Sequence, residues 1–106
     1  MKLWLDDVRD PELFSKIEGW TWVKTANDAI LALHTGDVEF ASLDHDLGGH
    51  EFVDSYGPEK TGYTVVLWLE AHPEFWPPRG VTVHSANPAG AARMQQVIDR
   101  HYKDGL

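Results

Sequence analysis

The chain has 106 residues, 42% of them hydrophobic and 25% charged, which suffices for one packed core and leaves no room for a second. Nine Lys and Arg against seventeen Asp and Glu give a net charge of −8, so attachment to duplex DNA through its backbone is disfavoured. A phosphate-bearing ligand would need local help from a divalent cation, a few arginines or a helix N-terminus. The absence of cysteine excludes disulfides and thiolate chemistry, and no apolar run approaches the ~18–20 residues of a membrane span, so a cytoplasmic protein without leader or anchor is expected.

Lys2-Leu3-Trp4-Leu5 is a short apolar run that stops at Asp6-Asp7, the pattern of a buried strand delivering polar residues to its tip. Residues 9–19 hold Pro11, Gly19 and a loose Leu13, Phe14, Ile17 cluster, which predicts a loop with one helical turn. Trp20 to Lys24 is aromatic and β-branched and reads as a second strand. Thr25, with Asp28 three residues on, starts a helix whose apolar face recurs at Ala26, Ala29, Ile30 and Leu33 and which ends at Gly36. Phe40 to Leu43 is a third buried strand, and it too closes on acid, in Asp44-His45-Asp46. The glycine-containing stretch 48–61, with His50, Glu51, Asp54 and Lys60, is long for such a connection and is expected to form a lid. Thr61 or Gly62 opens a helix, Tyr63 to Ala71, that is apolar on nearly every side. Gly80 to His84 is the fourth strand, and Asn87-Pro88 supplies an N-cap and a proline at the first position of a last helix reaching about Tyr102.

Strands alternating with helices predict an α/β fold: a small three-layer or incomplete three-layer sandwich around a mostly parallel four-stranded sheet. Ligands of such sheets bind beyond the carboxyl ends of the strands, where the strand order reverses. Three strands end there in polar clusters: Asp6-Asp7, Asp44-His45-Asp46 and His84-Ser85-Ala86-Asn87. Asp6, Asp7, Asp44 and Asp46 together offer the oxygen ligands that Mg²⁺ or Mn²⁺ prefer, and without a cation such crowding would raise their pKa values. His45 and His84 are expected as general acid/base residues, or with Asp44 and Asp46 as ligands of a softer metal. Ser85 and Asn87, just before the last helix, are expected to receive a phosphate, with Arg9 and Arg93 adding positive charge.

These residues resemble the skeleton of a two-component receiver domain. More specifically, Trp-Leu-Asp-Asp-Val-Arg-Asp-Pro at 4–11, Ser-Leu-Asp-His-Asp-Leu-Gly at 42–48 and Val-His-Ser-Ala-Asn-Pro at 83–88 resemble the cyclic-phosphate-processing receiver-like family. The resemblance implies a truncated receiver, or flavodoxin-like, topology. It also implies metal-binding acids at Asp6 and Asp7, a phosphoacceptor at Asp44 and a switch hydroxyl at Ser85. Two departures from ordinary receivers stand out: one helix follows the fourth strand where a fifth strand and its lysine are expected, and His45 and His84 border the acids. Both weaken a signalling role and favour a site that acts on, or recognises, a phosphate ester; the acid cluster with two histidines and an anion-ready helix start then makes the first reading a metal-assisted phosphoesterase acting on a cyclic phosphate, such as a 2′,3′-cyclic RNA end or a cyclic nucleotide, with Asp44, His45 and His84 catalytic. The alternatives are a non-catalytic module that binds a phosphorylated small molecule or a protein, and a receiver phosphorylated on Asp44.

Overall fold

The computed structural model describes residues 1–47 and 61–104. The four strands are β1 (Lys2–Leu5), β2 (Trp20–Val23), β3 (Phe40–Leu43) and β4 (Val81–Val83). They form one sheet in the order β2-β1-β3-β4, and every pairing is parallel. The chain therefore leaves β1 toward one edge, returns across it and continues toward the other, which puts the reversal of strand order between β1 and β3. Asp6 and Asp44 follow these two neighbouring strands directly, and the backbone bond from Asp44 N–H to the Leu5 carbonyl, 2.9 Å, carries the pairing past the strand ends.

Side chains alternate faces along each strand. Leu3, Leu5, Ala41, Leu43 and Val81 enter the main core. That core is completed by Ala26, Ala29 and Leu33 of α2 (Ala26–His34), Val65, Val66 and Leu69 of α3 (Gly62–Ala71), and Met94, Val97 and Ile98 of α4 (Pro88–Asp99). Each helix begins where its sequence says it should: Thr25 caps the Asp28 N–H, Thr61 and Thr64 form a reciprocal capping box, and Asn87 caps Gly90 ahead of Pro88.

The other face differs from an ordinary doubly covered parallel sheet. Among the described residues, the crossover from β1 to β2 holds the single helical turn α1 (Pro11–Phe14), in keeping with the incomplete form of the three-layer sandwich. The residues opposite the main core in register are Trp4, Trp22, Ser42 and Thr82. Trp4 is buried outside the main core, edge-on to Trp20 at 5.4 Å, and Trp20 in turn meets Phe40 at 5.7 Å. Trp22 and Trp68 are half-buried, and Trp76 is buried beside Pro77-Pro78. The 48–61 stretch, read as a lid, lies outside the described residues apart from Thr61. Among the described residues no helix is long and apolar enough to cross a membrane.

Candidate functional site

Asp6 has no solvent exposure and Asp44 only 4%, whereas Asp7 is half-buried. One carboxylate oxygen from each of Asp6, Asp7 and Asp44 lies within 4.8 Å of the others, a spacing that suits one ion. Asp6 is fixed before any ligand arrives. Its Oδ1 accepts the Val8 and Arg9 backbone N–H groups, both at 2.9 Å, and its backbone carbonyl accepts the Trp22 indole N–H at 2.7 Å. The Arg9 guanidinium stands 3.6 Å from Asp6 and 3.9 Å from Asp44, the only cation paired with either acid among the described residues. It also lies 6.0 Å from the Phe14 ring centre.

Burial and the neighbouring Asp6 push the Asp44 carboxyl up to about 6, against the opposing pull of the Ser85 side-chain hydrogen bond and Arg9. The donor set thus carries more negative charge than one guanidinium offsets, which is the condition under which a divalent ion is favoured. Asp46 is not part of the three-carboxylate group. Its Oδ1 is taken by His45 Nδ1 at 2.7 Å and by the Asn87 side-chain N–H at 3.2 Å, and its pKa is lowered, first by the His45 bond and then by Asn87. Because a carboxylate only accepts, His45 Nδ1 carries the proton of this bond, which in the neutral ring leaves Nε2 as the acceptor. The ring lies against the start of α4: a Cβ on Gly90 would come within 2.5 Å of it.

His84 sits on the other side of Asp6. Its Nε2 is 3.1 Å from Asp6 Oδ2, its Nδ1 is 2.7 Å from Ser42 Oγ, and its ring stacks on Trp4 with centroids 3.8 Å apart and planes 8° from parallel. Burial lowers its pKa, partly opposed by Asp6. Ser85 Oγ accepts the Asn87 backbone N–H at 3.1 Å in addition to bonding Asp44. Asn87, expected to receive phosphate, has its oxygen on Gly90 N–H and its amide on Asp46. Arg93, expected beside it, is exposed on α4 and lines neither cavity at the acid centre. Ser42 is the residue sequence reasoning missed. The available signal was parity: it is the one hydroxyl in the apolar run Phe40 to Leu43, two residues before Asp44.

Two small cavities open on this site. One of about 240 Å³ is lined by Asp7, Val8, Arg9, Asp44, Asp46 and Ala86. The other, about 310 Å³, shares Arg9 and Ala86 and is otherwise walled by Trp4, Phe14, Val83, His84 and Ser85. Since Asn87 satisfies an N-terminal donor of α4 and also steadies Asp46, Asn87→Ala should cost about 1 kcal/mol of stability, the usual worth of a cap. Urea denaturation measures it, and a variant as stable as the wild type would contradict that role.

Comparison with known proteins bears on the fold and the family. The fold is similar to the crystal structure of the signal receiver domain of a putative Luxo repressor protein from Vibrio parahaemolyticus, with a TM-score of 0.62 over 91% of this chain and 70% of that one, at 16% identity. That likeness concerns the fold alone. No curated protein shows significant sequence similarity to the chain. Residues 1–100 match the sequence family described as Cyclic-phosphate processing Receiver domain, a span that contains all three acids, both histidines and Ser85, and the chain belongs to that family.

Proposed function

We propose that this domain is a divalent-cation-dependent phosphoesterase that opens cyclic phosphate esters. The observation that carries the reading is the convergence of Asp6, Asp7 and Asp44 within 4.8 Å, beside a guanidinium, at the switch point of the sheet. Those three acids are the residues that would hold Mg²⁺ or Mn²⁺, and the bound ion would neutralise charge and polarise the phosphoryl group. Arg9, already beside both buried acids, is placed to take a phosphate oxygen. The larger, aromatic-walled cavity receives the organic part of the ester. His45, with its Nδ1 proton on Asp46, can accept a proton from water at Nε2. Water oxygen then bonds to phosphorus, an endocyclic P–O bond breaks, and the departing oxygen takes a proton, leaving an acyclic monoester. The ester is a small molecule or an RNA end, since the net charge of −8 disfavours extended nucleic-acid contact.

The bond between Ser85 and Asp44 supports a second reading, a receiver phosphorylated on Asp44. One experiment separates the possibilities. The protein is incubated with Mg²⁺ or Mn²⁺ and a panel of 2′,3′- and 3′,5′-cyclic nucleotides and a 2′,3′-cyclic RNA end, and ring opening is followed by phosphorus NMR. Cation-dependent opening, lost in Asp7→Asn, is the expected result. Calorimetric binding with no conversion of any substrate would replace the enzyme reading with a binding module. A base-labile phosphoryl adduct on Asp44 from a small phosphodonor, again with no conversion, would replace it with the receiver reading.

A further inference from the structure

Behind the acid centre runs a directed chain of hydrogen bonds that the reaction above does not use. Asp6 Oδ2 can only accept, so the proton of its 3.1 Å contact with His84 belongs to Nε2. In the neutral ring this leaves a lone pair on His84 Nδ1, and Ser42 Oγ, 2.7 Å away, is the hydroxyl placed to donate to it. Ser42 Oγ in turn accepts from Thr82 Oγ1 at 3.2 Å, so its single proton is free to point at His84. Strand register builds this arrangement, because Ser42 stands beside both Trp4 and Thr82 on the face opposite the main core. Trp4 fixes the plane of the imidazole by stacking on it at 3.8 Å. Both ring nitrogens and one ring face are therefore engaged, and Ser42 itself is only 5% exposed, too buried to serve as a nucleophile.

We infer that Ser42 and His84 form a rigid strut that positions Asp6 as an ion ligand, with His84 a fixed Nε2–H donor and not a proton carrier. The inference rests on the metal-dependent reading of the site. A carboxylate that binds an ion is commonly oriented by an outer donor, and losing such a donor typically lowers metal affinity about 10–100-fold. His84 is that donor and Ser42 is its anchor, so Ser42 is a positioning residue that never touches substrate.

The test combines nitrogen-15 NMR of the histidine rings, recorded without metal, with Mn²⁺ titration by calorimetry, for wild type, Ser42→Ala and Ser42→Thr. In the wild type, His84 should show one protonated and one unprotonated nitrogen, the former Nε2. Ser42→Ala, a small change in a buried strand, should let the ring turn and exchange tautomers, drawing the two nitrogen shifts together, and should weaken Mn²⁺ binding about tenfold, the low end of that range. Ser42→Thr keeps the hydroxyl and should restore both. Unchanged shifts in Ser42→Ala would overturn the strut, and so would changed shifts with unchanged Mn²⁺ affinity. Should the wild type bind neither Mn²⁺ nor Mg²⁺, the metal-dependent function fails with the positioning role, whereas a failure of the strut alone leaves wild-type ion binding and turnover intact.

Discussion

Asp44→Asn should abolish cation-dependent stabilisation and ester opening while making the metal-free protein more stable at neutral pH than the wild type. Asp44 titrates near 6 in the folded chain and near 3.8 as a free side chain, with burial the main cause and Asp6 the second. The folded state therefore holds this proton more tightly than the unfolded state does. The associated stability is fully present below about pH 4 and is lost as pH rises through 6. At about 1.4 kcal/mol per unit, the loss at pH 7.5 amounts to at most about 3 kcal/mol. Asparagine cannot ionise and escapes it. In chelator at pH 7.5 the variant should thus melt higher, by roughly 4–8 °C for each kcal/mol in a domain of this size, and the advantage should fade toward pH 4. Millimolar Mg²⁺ should reverse the order, because an ion that binds only the folded wild type adds stability by mass action. Melting curves at two pH values, with and without Mg²⁺, read all of this. A less stable variant in chelator at pH 7.5, or equal Mg²⁺ stabilisation of both proteins, would refute the account.

Much of this site is legible in the sequence because strands announce where they end. Apolar runs that stop on acid at Asp6 and Asp44, and a strand that stops at His84-Ser85, place their polar tips on one edge as soon as the sheet is parallel. Order within the edge is less legible. Asp46 reads as a fourth ligand by proximity in sequence, yet His45 and Asn87 claim its carboxylate, a contest decided by where the N-terminus of α4 comes to rest. Arg93 fails to reach the centre for a related reason: a residue in the second turn of α4 lands on whichever face Met94 and Val97 leave exposed. For Ser42 the parity with Asp44 places its side chain on the face opposite the main core but does not name its partners. Its meaning comes from two neighbouring strands, and only the register of β1, β3 and β4 reveals it.

The close approach of α3 to the acid centre yields the largest expected loss of stability. Gly62 opens that helix, and its N–H donates to the His45 carbonyl at 3.0 Å. A Cβ at this position would lie 1.9 Å from the Asp44 carbonyl oxygen and 3.0 Å from Met94 Cε. The first obstacle is backbone, which has no rotamer to change, and Asp44 is tied to Leu5 through its own N–H. In Gly62→Ala the helix must retreat or the Asp44 turn must bend, at a cost toward the upper end of the ~1–3 kcal/mol usual for overpacking, hence a melting temperature roughly 10–20 °C lower. Mg²⁺ affinity should fall as well, because the turn that moves carries Asp44, one of the three proposed ion ligands. Gly90→Ala offers the contrast. Its methyl would meet the His45 ring at 2.5 Å, a side chain that can swing aside, and alanine favours the helix by about 1 kcal/mol over glycine. That variant should keep most of its stability and its Mg²⁺ binding but lose turnover, since His45 leaves Asp46. Melting, Mg²⁺ titration and ring-opening assays on the two variants check the assignment of roles. If Gly62→Ala melts like the wild type, the packing of α3 against Asp44 is wrong, and if Gly90→Ala turns over normally, His45 is not the base.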